Sequence, residues 1–141
     1  MQHDTAASQE CGFAIISHGV CLSLLGSEDI GHLGLTSGAL PVVLPIRYRL
    51  VGRSVVFATA GGATLTSARR NAVACIEIAG TDTSTSMDWT VLATGRLREI
   101  TDRSAISAVD GGPLRPWGLP AAEHMVALDI ELLSGSQSKA Q

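Results

Sequence analysis

Three runs decide the fold. They are Ile30-Gly31-His32-Leu33-Gly34-Leu35, Leu40-Pro41-Val42-Val43-Leu44-Pro45-Ile46-Arg47-Tyr48-Arg49-Leu50-Val51 and Ser54-Val55-Val56-Phe57-Ala58-Thr59. Turn residues at Thr36-Ser37-Gly38 and Val51-Gly52-Arg53 separate them. Short β-branched and aliphatic runs with such punctuation read as consecutive antiparallel strands. They feed a small-residue loop, Ala60-Gly61-Gly62-Ala63-Thr64-Leu65. Glycine leaves room for a ligand to approach backbone, so the loop points to a cofactor site on a barrel rim more than to a side-chain catalyst. Pro45 lies inside the second run and cannot donate to a ladder, which implies an edge, a bulge or a strand end there.

Outward from this stretch the pattern continues. A helix over His18–Leu25 is expected within the ambiguous segment 12–26, with Ser17 as N-cap and Gly26 past its end. Gly62–Asn71 fits a short helix with Leu65 and Ala68 on one face and Arg69 and Arg70 in its last turn, where cations complement the dipole. Ala72–Ala79 reads as a buried strand and Gly80–Met87 as a polar loop. Asp88–Ile100 is a long strand, with Trp89, Val91, Ala93, Gly95, Leu97 and Glu99 sharing one side, long enough to cross a barrel. Thr101–Val109 suits a short helix, and Asp110–Pro120, with three Pro and three Gly, a loop. Met125–Leu133 is a final strand with Asp129 and Glu131 outward. Residues 1–10 and 135–141 are expected to be flexible tails of a single domain spanning 11–134. Mostly consecutive antiparallel strands with a few short helices give a mainly β architecture, a closed β-barrel.

With 141 residues there is room for one domain with its own core. Apolar residues make up 45% and charged residues only 16%, below the usual share of about 25%. So little surface charge suggests that a partner subunit covers apolar surface. The net charge is −3, and nine of the ten basic residues are scattered arginines, Lys139 being the exception; there is no basic stripe for nucleic acid. No apolar run is long enough for a membrane helix, and the polar N-terminus lacks a signal-peptide pattern. Cys11, Cys21 and Cys75 have neither disulfide-framework nor metal spacing, which suits a reducing cytoplasm; Cys75 reads as a small core residue. His3, His18, His32 and His124 have no ligand spacing for zinc. No Ser-His-Asp or Cys-His arrangement can be argued.

The ordered motifs Cys21-Leu22, Ile30-Gly31-His32-Leu33-Gly34, Pro41-Val42-Val43-Leu44-Pro45-Ile46-Arg47-Tyr48, Val56-Phe57-Ala58-Thr59, Gly62-Ala63-Thr64-Leu65, Val73-Ala74-Cys75-Ile76-Glu77-Ile78, Asp88-Trp89-Thr90-Val91-Leu92-Ala93-Thr94-Gly95 and Pro116-Trp117 resemble the pyridoxamine 5'-phosphate oxidase-like family. The resemblance covers about residues 18–134. It implies an FMN-binding split β-barrel, with six or so antiparallel strands of Greek-key type. It also implies a homodimer with ligand sites at the subunit interface, and an oxidoreductase acting on an unknown small molecule. By the same resemblance, Pro45, Ile46, Arg47 and Tyr48 would run beside the flavin ring. Ala58, Thr59, Gly62, Thr64 and Leu65 would form the phosphate loop, and Trp89 and Trp117 would help close the site. Family members commonly carry a lysine where Thr64 stands and end in Gly-Arg-Arg where this chain has Gly135-Ser136-Gln137. The alternative is a non-catalytic barrel holding deazaflavin (F420), haem or another ligand as carrier or sensor. No catalytic side chain is assigned, because flavin itself carries the redox step.

Overall fold

The computed structural model describes residues 14–102, 104 and 124–139. Its elements are β1 (Ala14–Ile15), α1 (His18–Ser27), β2 (Ile30–Ser37), β3 (Leu40–Val51), β4 (Ser54–Thr59), α2 (Gly62–Arg69), β5 (Val73–Asp82), β6 (Met87–Ile100) and β7 (His124–Lys139). All strand pairs are antiparallel in one sheet of order β1-β7-β4-β3-β2-β5-β6, and β6 also pairs with β7. That last pairing closes six strands into a barrel, as the strand succession predicted, and β1 adds to the far end of β7.

Alternation along each strand sends one face inward. Leu33, Tyr48, Phe57, Ile76, Ile78, Val91, Leu97, Val126 and Leu128 are fully buried in the barrel. The Tyr48 hydroxyl donates to the Leu25 carbonyl at 2.6 Å and so ties the end of α1 to β3. Ser17 caps α1 by accepting from the Val20 N–H at 3.3 Å.

Several expected boundaries move. The helix α1 runs through Gly26 to Ser27 and ends at Glu28; tertiary packing of Leu25 overrides the glycine stop. The supposed loop Gly80–Met87 is mostly hairpin: β5 and β6 pair through Asp82↔Met87, and only 83–86 turn. The Asp82 carboxylate accepts from the Ser84 N–H and hydroxyl, which tightens that turn. The segment 135–141 is not a tail where described. β7 continues to Lys139, held by β6 on one side and by β1 on the other. Cys75 is not core: Ala74, Ile76 and Ile78 point inward, and Cys75 is half-exposed on the outer face. The helix expected over Thr101–Val109 and the loop Asp110–Pro120 fall largely or wholly outside the described residues, as does the tail 1–10.

The barrel seam depends on a bulge. β7 carries one extra residue, Glu131, between Thr94↔Leu132 and Gly95↔Ile130. A Cβ on Gly95 would stand 1.8 Å from the Asp129 carbonyl oxygen, so only glycine permits this approach. Across the seam, Arg98 pairs with Asp129 at 2.8 Å, and the Ser54 hydroxyl donates to the same carboxylate at 2.6 Å.

The outer face carries an apolar band. Register aligns Val43, Gly34, Cys75, Thr94 and Leu132 across five strands. Val43 and Leu132 are 69% and 70% exposed, and Leu92 and Val73 flank them.

Candidate functional site

The cleft arises where two strands part. The β3–β4 ladder runs from Val51↔Ser54 to Tyr48↔Phe57 and stops. Beyond it β3 stays paired to β2 through Gly31↔Ile46 and His32↔Pro45, while Ala58 and Thr59 stay paired to β7. Each strand keeps its outer neighbour and loses the inner one. Pro45 sits where its missing N–H costs no β4 hydrogen bond, which explains a proline in mid-strand. The gap is an open cleft of about 360 Å³ lined by Leu44, Pro45, Ile46, Phe57, Ala58, Thr59, Ala60, Gly61, Gly62 and Thr64.

The rim is a loop that favours glycine. Gly61 and Gly62 have φ of 130° and 72°, a region that side chains with Cβ rarely enter. The Thr59 hydroxyl locks the turn by accepting from the Gly61 N–H at 3.3 Å and donating to the Gly61 carbonyl at 3.1 Å. No side chain caps α2, which starts at Gly62. The far end of α2 is well anchored. Leu65 and Ala68 are buried, and Arg69 pairs with Glu99 at 3.0 Å. Glu99 in turn meets His124 at 3.3 Å. The hydrogen bond from Arg69 holds the Glu99 carboxyl below its usual range, with a smaller contribution from His124. The loop is therefore held from both sides while its surface toward the cleft stays open.

The structure brings six of the expected site residues to the cleft: Pro45, Ile46, Ala58, Thr59, Gly62 and Thr64. The others lie elsewhere. Tyr48 points into the barrel and is spent on Leu25. Leu65 is buried under α2. Arg47 is exposed on β3 beyond the lining stretch. Trp89 packs on Gly80, on the β5–β6 hairpin, and against the main core. Trp117 lies outside the described residues. Four lining residues were not selected from sequence: Leu44, Phe57, Ala60 and Gly61. Ala60 and Gly61 belong to the glycine loop itself. Leu44 and Phe57 point to the inner face and line the cleft only because the strands splay.

Among the described residues the lining is apolar apart from two threonines and backbone, and none of those residues is ionisable. Its size lies at the low end of the range of about 300–1,000 Å³ for ligand pockets. A flat, uncharged ring system fits that chemistry; among the described lining residues a phosphate finds neutral donors. Among the described residues no group of three or more His, Cys, Asp or Glu could hold a metal ion. No described helix is long and apolar enough to cross a membrane.

A split barrel with a glycine-rimmed cleft between parted strands defines the class. The family model described as pyridoxamine 5'-phosphate oxidase matches residues 17–137, and the chain belongs to that family. The chain is similar to the uncharacterized protein Rv0080 of Mycobacterium tuberculosis, 29% identical over 119 residues that span 81% of this chain and 78% of that protein. The FAD binding protein from Mycobacterium smegmatis superposes with a TM-score of 0.67 at 24% identity, covering 90% of this chain and 99% of that one. The FAD and heme binding protein from the same organism gives 0.68 at 18% identity, covering 92% and 74%. These two likenesses speak for the fold.

Proposed function

We propose that this chain is a flavin-binding member of its family, an oxidoreductase for a small molecule, working as a homodimer. The observation that carries the reading is the cleft between Leu44–Ile46 and Ala58–Thr64, largely apolar and rimmed by Gly61 and Gly62. FMN or FAD would supply the redox chemistry when bound. Leu44, Ile46 and Phe57 would exclude water from one side of the ring, and the Thr59-locked loop would present backbone to it. The names of two structural relatives, one an FAD binding protein and one an FAD and heme binding protein, support a flavin in this fold.

The homodimer is supported by the exposed band Val43, Leu92 and Leu132 beside the cleft strand β3. Burying it would remove apolar surface from water at about 25 cal/mol per Å². The free thiols of Cys21 and Cys75 suit a reducing cytoplasm.

A second reading keeps the ligand without the catalysis. The described lining favours it, since none of those residues has an ionisable side chain to move a proton. The chain would then be a carrier or sensor of a flavin, of deazaflavin F420 or of haem. The visible spectrum of untagged protein, followed by addition of FMN, tests these readings. A flavin band, or one that appears on FMN uptake, supports a flavin site, and turnover of a small-molecule acceptor by the reduced flavoprotein then separates enzyme from carrier; a Soret band supports haem. A colourless protein that takes up no flavin refutes the flavin assignment.

A further inference from the structure

We infer that Glu99 is a positioning residue for the cleft, and that its bond to His124 makes ligand affinity depend on pH. This rests on the flavin reading above and adds how that site is regulated. Glu99 is not among the described lining residues; it acts through two contacts, one at each carboxylate oxygen. Its Oε1 accepts from Arg69 Nε, in the last turn of α2, at 3.0 Å. Its Oε2 meets Nδ1 of His124, the first residue of β7, at 3.3 Å. In the β4–β7 ladder His124 stands opposite Thr59, whose hydroxyl is closed onto Gly61.

These contacts form a ring around the rim. It follows the chain from Thr59 through the glycine loop and α2 to Arg69. It then crosses to Glu99 and His124 and returns to Thr59 through the ladder. Glutamine cannot replace the carboxylate, because an amide has one acceptor oxygen and its NH2 would face a donor. Arg69 holds the Glu99 carboxyl below its usual range, so Glu99 is ionised throughout pH 6 to 8. Imidazole is the side chain that changes charge in that interval, and a charged donor bonds a carboxylate more strongly than a neutral one. Among the described residues, β6 presents Glu99 to His124, with Arg69 of α2 on its other oxygen, and β4 presents Thr59, which does not titrate. The ring is therefore tightest at pH 6 and slackens toward pH 8. Affinity changes by no more than the contact itself contributes, about two- to fivefold for a partly exposed pair.

The test titrates FMN into the full chain freed of ligand, from pH 6 to pH 8, following flavin fluorescence. The parent, Glu99→Gln and His124→Asn are compared, each first shown to be folded by its urea transition. The phosphate of FMN also titrates in this interval, and the variants share it, so they supply the baseline. Relative to either variant, the parent should lose about two- to fivefold in affinity between pH 6 and pH 8. At one fixed pH and without ligand, amide hydrogen exchange over residues 60–64 should be faster in Glu99→Gln than in the parent. A parent profile that matches both variants would overturn the inference and leave the flavin reading intact. So would a slope lost in His124→Asn but kept in Glu99→Gln, which would mean that His124 acts on the phosphate directly, or unchanged exchange over residues 60–64. If the parent binds no FMN at any pH, the flavin reading falls and this inference falls with it, a result distinct from a matching profile.

Discussion

Gly95→Ala should open the barrel. The added Cβ would lie 1.8 Å from the Asp129 carbonyl oxygen and 2.8 Å from its carbon. Even the shorter contacts between carbon and carbonyl oxygen in sheets are about 3.3 Å, so the seam must part by roughly 1.5 Å. The obstacle is backbone, which cannot rotate away. Parting it breaks the ladder hydrogen bonds next to the bulge, worth about 0.5–1.5 kcal/mol each. It also loosens Val91, Ala93, Leu97, Leu128 and Ile130, which belong to the core on either side. We expect a loss of about 3–5 kcal/mol, within the range of severe core lesions and a large share of a stability of about 5–15 kcal/mol. Urea denaturation reads it as a midpoint lower by at least about 1 M. Gly19→Ala is the control, since its Cβ meets nothing within 4 Å in α1. It should stabilise by about 0.4–1 kcal/mol through the unfolded chain. A Gly95→Ala protein within about 1 kcal/mol of the parent would refute the closed seam.

Tyr48 is the only tyrosine, and burial, with Glu28 and Asp29 adding to it, pushes its hydroxyl above the ordinary value of 10. Alkaline titration at the tyrosinate band should therefore show no ionisation until the protein unfolds; a transition near pH 10 in folded protein would contradict the buried bond to Leu25. Glu99 has a folded value below its ordinary 4.5, so the stability it contributes is full above that pH and is lost as pH falls through the lower folded value. Glu99→Gln should accordingly flatten the acid limb of stability against pH, and an unchanged limb would show the Arg69–Glu99 pair to be idle. Thr59→Val removes both hydrogen bonds to Gly61 and should cost about 1 kcal/mol in urea with a several-fold loss of flavin affinity; unchanged affinity would mean the loop does not touch the ligand. On the proposed homodimer, Val43→Glu with Leu132→Glu should turn a parent that scatters as a dimer into a monomer; a persistent dimer would place the interface elsewhere, and a monomeric parent would refute the homodimer.

The three opening strands and both helices were legible because their patterns are local. Alternation placed the inward residues, Ser17 capped α1, and Pro45 marked the point where β3 loses β4. Position relative to other strands was not legible in the same way. Tyr48 and Arg47 follow Ile46 directly, yet the ladder resumes at Tyr48, so one residue enters the core and the other faces out beyond the cleft. Leu44 and Phe57 reach the cleft because two ladders diverge, a tertiary event without a signature in either run. Polar Ser134–Lys139 looked like a tail because its solvent-facing residues hide a strand paired on both sides. Cys75 looked like core in an apolar run, but the outer face of this barrel is itself apolar.

The central claim is that the gap between β3 and β4 holds a flavin ring, and filling it tests this most directly. Leu44→Trp adds bulk from the β3 wall, where Leu44 lines the cleft and is 36% exposed. Flavin titrations of parent and variant, each first shown to be folded by its urea transition, should give saturable quenching with the parent and little or none with Leu44→Trp. Equal binding by the two, or no saturable binding by the parent, would contradict the account.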